Sequence, residues 1–105
     1  MDDAVAEHSS PLRILIADDS DSDRLILKTL LKRLGHEVLD VSNGLDAVSV
    51  FQQEAPDLVL LDALMPVMDG MEAARQIKFL AGERLVPLIF LTSLSEAGAL
   101  ARCLE

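Results

Sequence analysis

Three short apolar runs in this chain end in acidic or hydroxyl side chains. Residues 12–17 (LRILIA) stop at Asp18-Asp19, residues 58–61 (LVLL) stop at Asp62, and residues 86–91 (VPLIFL) stop at Thr92. Asp62 follows Asp18 by 44 positions and Asp19 by 43, and Thr92 follows Asp62 by 30. Stacked as neighbouring strands of one parallel sheet, the runs bring these groups together, because functional residues in such sheets gather beyond the carboxyl ends of the strands. Carboxylates packed that closely repel, so at neutral pH they need a cation, hydrogen bonds or a shared proton. An all-oxygen set suits Mg²⁺, which prefers octahedral oxygen ligands. The histidines are His8, near the start, and His36, after the first predicted helix, so zinc is not expected. His36 reads as a solvated turn residue. The single cysteine, Cys103, has no disulfide partner and reads as a packing residue.

The intervening segments must position those strand ends. Asp18 to Asp21 break the first strand and can cap a helix over about 22–34. There Leu27, Leu30, Leu31 and Leu34 recur at helical spacing, with Lys28, Lys32 and Arg33 on the other side. Acidic residues precede basic ones along it, which complements the helix dipole. Gly35 supplies a stop. Residues 37–42 (EVLDVS) alternate and read as an edge or half-buried strand. Asn43-Gly44 is a turn signal, with Gly44 expected at a positive φ. A second helix is expected over 45–53 from Leu45, Val48 and Phe51, ended by Pro56. The run at 58–61 has no polar alternation, the mark of a strand buried on both faces of a parallel sheet. A third helix is expected over 71–80, with Ala73, Ala74, Ile77 and Leu80 inward and Gly82 beyond it. The run at 86–91 reads as another buried strand, with Pro87 among its first residues. Ser93 and Glu96 have capping-box spacing before a last helix over 95–104. Strand and helix thus alternate four times, the pattern of a doubly wound α/β domain with a parallel sheet.

Composition sets the class. The chain has 105 residues, half of them apolar, enough for one compact domain over 12–105 behind a flexible tail over 1–11. A net charge of -9 disfavours direct nucleic-acid binding. No apolar run reaches the roughly 18 residues of a membrane span, and the first residues lack a secretory layout, so a cytoplasmic location is expected. Four strands are few for this class. A further piece of chain, or a second copy in a homodimer, is expected to cover the open flank.

The acidic pair Asp18-Asp19, the segment Asp62-Ala63-Leu64-Met65-Pro66-Val67-Met68-Asp69-Gly70 and the strand-ending Thr92 together closely resemble the receiver domain of two-component response regulators. The resemblance covers about four fifths of such a domain, four of its five βα units, and implies a flavodoxin-like fold truncated at its C-terminus. It implies that Asp62 is the phosphoacceptor nucleophile, and that Asp18, Asp19, Asp62 and the backbone carbonyl of Leu64 bind Mg²⁺. Thr92 would bond a phosphoryl oxygen, and Pro66 and Gly70 would shape the adjacent loop. The implied donor is a phosphohistidine on a sensor histidine kinase or phosphotransfer protein. The recipient of the signal is an effector domain or downstream protein that the sequence does not specify. Such a module phosphorylates and dephosphorylates itself rather than turning over a substrate.

Two rival readings remain in view. A phosphorylation-independent interaction module could keep the fold and the acidic pocket. A haloacid-dehalogenase-like phosphatase would want a second aspartate where Leu64 stands, and is disfavoured. The family's strand-end lysine has no match here, since Lys78 lies in the wrong segment. Leu64 also departs from members that carry a polar group there to position attacking water. A longer-lived phosphoryl group is therefore expected: Leu64→Asn should speed acyl-phosphate decay, as followed by loss of labelled phosphate, and unchanged or slower decay would contradict this account.

Overall fold

The computed structural model describes residues 10–91. Residues 1–9 of the expected tail lie outside that range. So do Thr92, the Ser93–Glu96 capping pair, the last expected helix and Cys103. The described elements are β1 (Arg13–Ala17), α1 (Asp21–Arg33), β2 (Glu37–Val41), α2 (Gly44–Glu54), β3 (Leu58–Asp62), α3 (Gly70–Ala81) and β4 (Leu88–Leu91). The strands form one parallel sheet in the order β2-β1-β3-β4. This is the expected doubly wound α/β arrangement. No helix among the described residues is long and apolar enough to cross a membrane.

Strand alternation divides the core into two layers. Leu15, Ala17, Val59 and Leu61 face α2 and α3, where Ala47, Phe51, Ala73 and Ile77 are buried against them. Ile14, Ile16 and Leu60 face the other way, toward Leu27 and Leu31 of α1. β1 and β3 are therefore covered on both sides, which is why neither shows a polar alternation. At the amino end of β1, Arg13 reaches α2, β2 and the turn before β3. Its amide donates to Asp57 Oδ2 at 2.8 Å, its Nη1 to the Glu54 carbonyl at 2.8 Å, and its Nε to Glu37 Oε1 at 3.3 Å.

Local chemistry sets the helix starts. Ser20, Asn43 and Asp69 cap α1, α2 and α3, each accepting a backbone N–H from three residues on. The structure corrects several sequence expectations. Gly44 has no positive φ; it is the first residue of α2, where a Cβ would collide with the Met68 carbonyl that its own N–H contacts at 3.0 Å. Leu30 and Leu34 are exposed, because only Leu27 and Leu31, one turn apart, point down onto Ile14 and Ile16. His36 is half-buried rather than solvated, and its Nδ1 accepts the Leu12 N–H at 3.0 Å. β4 is not fully buried: Ile89 and Phe90 are 50% and 41% exposed, and among the described residues β4 pairs on one side only, with β3. Pro87 precedes β4 and contributes only its carbonyl, which accepts from the Val59 N–H at 3.0 Å.

The close approach at Gly44 gives a test. Gly44→Ala should lower stability by about 1–3 kcal/mol, the usual penalty for forcing volume into a packed contact. A urea unfolding midpoint equal to that of the parent would contradict the crowding.

Candidate functional site

β1 and β3 are adjacent and in register, with Ala17 opposite Leu61. The next residue on each strand is an aspartate, so Asp18 and Asp62 leave the sheet at the same edge. Asp62 is the last residue of β3 and pairs with Leu91 of β4. Carboxylate oxygens of Asp18, Asp19 and Asp62 all lie within 4.8 Å of one another. Asp18 is only 6% exposed and Asp62 only 4%, while Asp19 faces solvent. The three acidic residues singled out by their position after apolar runs are thus brought together. Leu64 is next to them: its N–H donates to Asp62 Oδ1 at 3.1 Å, while its side chain is exposed. Thr92 lies beyond the described residues.

Burial pushes the Asp18 carboxyl above its ordinary value, and the charges of Asp23 and Asp19 push the same way. Hydrogen bonds from the Ser20 N–H, 2.9 Å from Oδ1, and with Asp62 oppose the shift without cancelling it. Nearly buried carboxylates beside one another favour a compensating positive charge, because the hydrogen bonds here do not offset the burial of Asp18. The set of oxygens is hard, clustered and partly open through Asp19. It fits a divalent cation such as Mg²⁺ better than any ion that needs nitrogen or sulfur ligands.

The loop over 63–69 is clamped at both ends. The Gly70 N–H donates to the Ala63 carbonyl at 3.0 Å, and a Cβ on Gly70 would strike the Asp62 carbonyl. Between the clamps, the Met68 N–H closes onto the Pro66 carbonyl at 2.7 Å, and Val67 sits at φ +70°. A β-branched residue rarely adopts that conformation.

Sequence reading missed Arg24. Its side chain, 18% exposed, lies behind the acidic edge and uses each guanidinium nitrogen differently. Nη1 donates to the Asp18 carbonyl at 2.7 Å, Nη2 to Asp21 Oδ1 at 2.7 Å and Nε to Asp40 Oδ2 at 3.1 Å. Lys28 Nζ takes the other Asp40 oxygen at 3.1 Å. Burial pushes Asp40 upward, but the hydrogen bonds and charges of Lys28 and Arg24 outweigh it and hold the carboxyl below its ordinary value. The available signal was an arginine in the first turns of a helix that follows an acidic pair, with a lone aspartate in the strand beside it. Lys78 proves remote from the acids. It lines a cavity of about 490 Å³ with Leu85 and Pro87, near the amino end of β4.

Comparison with known proteins agrees with this geometry. The family model described as "Response regulator receiver domain" matches residues 14–105. Protein PilH of Pseudomonas aeruginosa is 42% identical over 81 residues, spanning 77% of this chain and 67% of PilH. The probable transcriptional regulator ycf27 of Pyropia yezoensis is 44% identical over 84 residues, 80% of this chain but only 33% of that protein. Among solved structures, the receiver domain of the sensor histidine kinase PA1611 from P. aeruginosa, which holds a magnesium ion in its active-site cleft, superposes with a TM-score of 0.77. It is 32% identical, over 90% of this chain and 78% of that one.

The raised Asp18 carboxyl fixes the sign of a pH effect. A group whose pKa is higher in the folded state favours folding below its unfolded pKa, and that contribution is lost as pH rises through the folded pKa. Without divalent ions, Asp18→Asn should therefore melt above the parent at pH 7, by roughly 4–8 °C for each ~1 kcal/mol relieved. The difference should vanish in acid, where the parent carboxyl is protonated. Adding Mg²⁺ should stabilise the parent more than the variant. Thermal melts followed by circular dichroism check both expectations, and a variant that melts below the parent in chelator at pH 7 would contradict the first.

Proposed function

The chain belongs to the response regulator receiver family, and on that premise we propose that Asp62 accepts a phosphoryl group whose arrival switches the surrounding surface. One observation carries the reading: the nearly buried Asp62 carboxylate ends a central strand with the carboxylates of Asp18 and Asp19 within 4.8 Å. An isolated buried aspartate would be a structural burden, and two more beside it serve no packing purpose. Residues 12–105 form the receiver module, with 1–11 as its tail.

Asp18, Asp19, Asp62 and the Leu64 carbonyl would hold Mg²⁺, which supplies positive charge opposite the transferring phosphoryl oxygens. The chain's own groups perform the rest. The Leu64 N–H on Oδ1 orients the Asp62 carboxylate. A carboxylate oxygen of Asp62 attacks phosphorus in line as the phosphorus–nitrogen bond of a phosphohistidine breaks. The bonding pair leaves with the imidazole, which regains a proton from solvent. The product is a mixed anhydride, so hydrolysis returns Asp62 to its carboxylate and resets the site. Thr92, directly after the last residue of β4, would bond one of the new phosphoryl oxygens and carry the change into the segment that follows.

The donor on this reading is a sensor histidine kinase or a phosphotransfer protein in the cytoplasm. The output passes to an effector domain or a separate protein, or through a homodimer. Incubation with Mg²⁺ and a small phosphodonor should add one phosphoryl mass to the protein, and Asp62→Ala should abolish the gain. A gain that survives the substitution, or partner binding indifferent to it, would instead favour an interaction module that does not use phosphorylation.

A further inference from the structure

We infer that Arg24 is the positioning residue of the acidic cluster: its guanidinium fixes the Asp18–Asp19 peptide and thereby the direction in which both carboxylates project. The inference rests on the Mg²⁺-binding reading of that cluster and adds to it a residue outside the ligand set.

Asp18 is the hinge of the site. Its N–H donates to the Val41 carbonyl at 3.1 Å, which continues the β1–β2 ladder by one residue. Beyond that bond the chain leaves the sheet, and the next backbone group is the Asp18 carbonyl. A peptide at a strand end can rotate, and rotation here would swing Asp19 away from Asp18 and Asp62. Arg24 Nη1 holds that carbonyl at 2.7 Å. The arginine cannot itself drift, because Asp40 on β2 and Asp21 on α1 take its other two nitrogens. Lys28 holds Asp40 from its second oxygen, so the anchor is rigid from both sides. The fork of the guanidinium is essential to this arrangement. A lysine has one nitrogen at the end of a flexible stem and cannot span three separate acceptors. The orientation of the ligands is thus set by a contact to the main chain, in the way that outer partners commonly orient metal ligands.

The test compares Mg²⁺ affinity, by isothermal titration calorimetry, with melting temperature in four proteins: the parent, Arg24→Gln, Arg24→Lys and Phe51→Leu. Phe51 is buried in the opposite layer of the core and serves as a destabilised control. Arg24→Gln should weaken Mg²⁺ binding about tenfold, the lower end of what loss of an outer partner does to a metal site. Arg24→Lys should be weakened comparably although its charge is kept, and Phe51→Leu should melt lower yet bind Mg²⁺ like the parent. Should Arg24→Gln fail to fold, the lysine variant supplies the same comparison. Unchanged affinity in the Arg24 variants would overturn the inference and leave the receiver reading standing. So would full rescue by lysine, or equal weakening in Phe51→Leu. Absence of Mg²⁺ binding in the parent would remove the reading and this inference together.

Discussion

Repulsion among three carboxylates at one edge of a sheet is the constraint to which this structure answers. Two unit charges 4 Å apart interact by about 4 kcal/mol at an effective dielectric constant of 20. A domain of this size has only about 5–15 kcal/mol of net stability to set against such terms. The in-register pairing of β1 with β3 makes the encounter unavoidable, since the residues after Ala17 and Leu61 are both aspartates. What tempers it is a set of donors aimed at the acids and their backbone: the Ser20 N–H on Asp18, the Leu64 N–H on Asp62 and Arg24 on the Asp18 carbonyl. The upward push on the Asp18 carboxyl is the part left over, and it is the part that a bound cation would relieve.

The elements that depend on burial were the legible ones. ILIA and LVLL carry no polar alternation because both faces of β1 and β3 are covered, and a run of apolar residues records that directly. The acids were legible for the same reason, as polar residues placed where a buried run must stop. Features that depend on three-dimensional neighbours were not. Helical spacing marks Leu27, Leu30, Leu31 and Leu34 alike, yet only the pair that lands on Ile14 and Ile16 is inside. Gly44 looked like a turn glycine because Asn-Gly is a strong local signal. Its actual constraint is the Met68 carbonyl, 24 residues away. Arg24 was hidden because only Asp21 lies at a helical spacing from it, while the Asp18 carbonyl and Asp40 are brought to it by the fold.

Two arginines hold the two ends of β1, and they do so differently. Arg13 works at the amino end, where its partners are the exposed carboxylate of Glu37 and the last turn of α2. Exposed pairs of that kind contribute little individually. Arg24 works at the carboxyl end, partly buried, with a main-chain carbonyl as one of its acceptors. The contrast follows the use of the two edges. At the amino end the strand needs only to be in place, whereas at the carboxyl end the exit direction of the chain decides where the acids point.

The central place of β1 also governs the order in which the molecule can be assembled. One side of β1 pairs with β2, which lies close in sequence, but the other must wait for β3, 44 residues further along. As the chain emerges from the ribosome, the first strand–helix–strand unit therefore carries an unsatisfied ladder and the uncovered side chains of Leu15 and Ala17. Pairings of such long separation form slowly. Asp18 already feels the charges of Asp19 and Asp23 during this interval, and Asp62 joins them only when β3 arrives. The step that docks β3 completes the acidic cluster, and the apolar side chains of LVLL enter the core in the same movement.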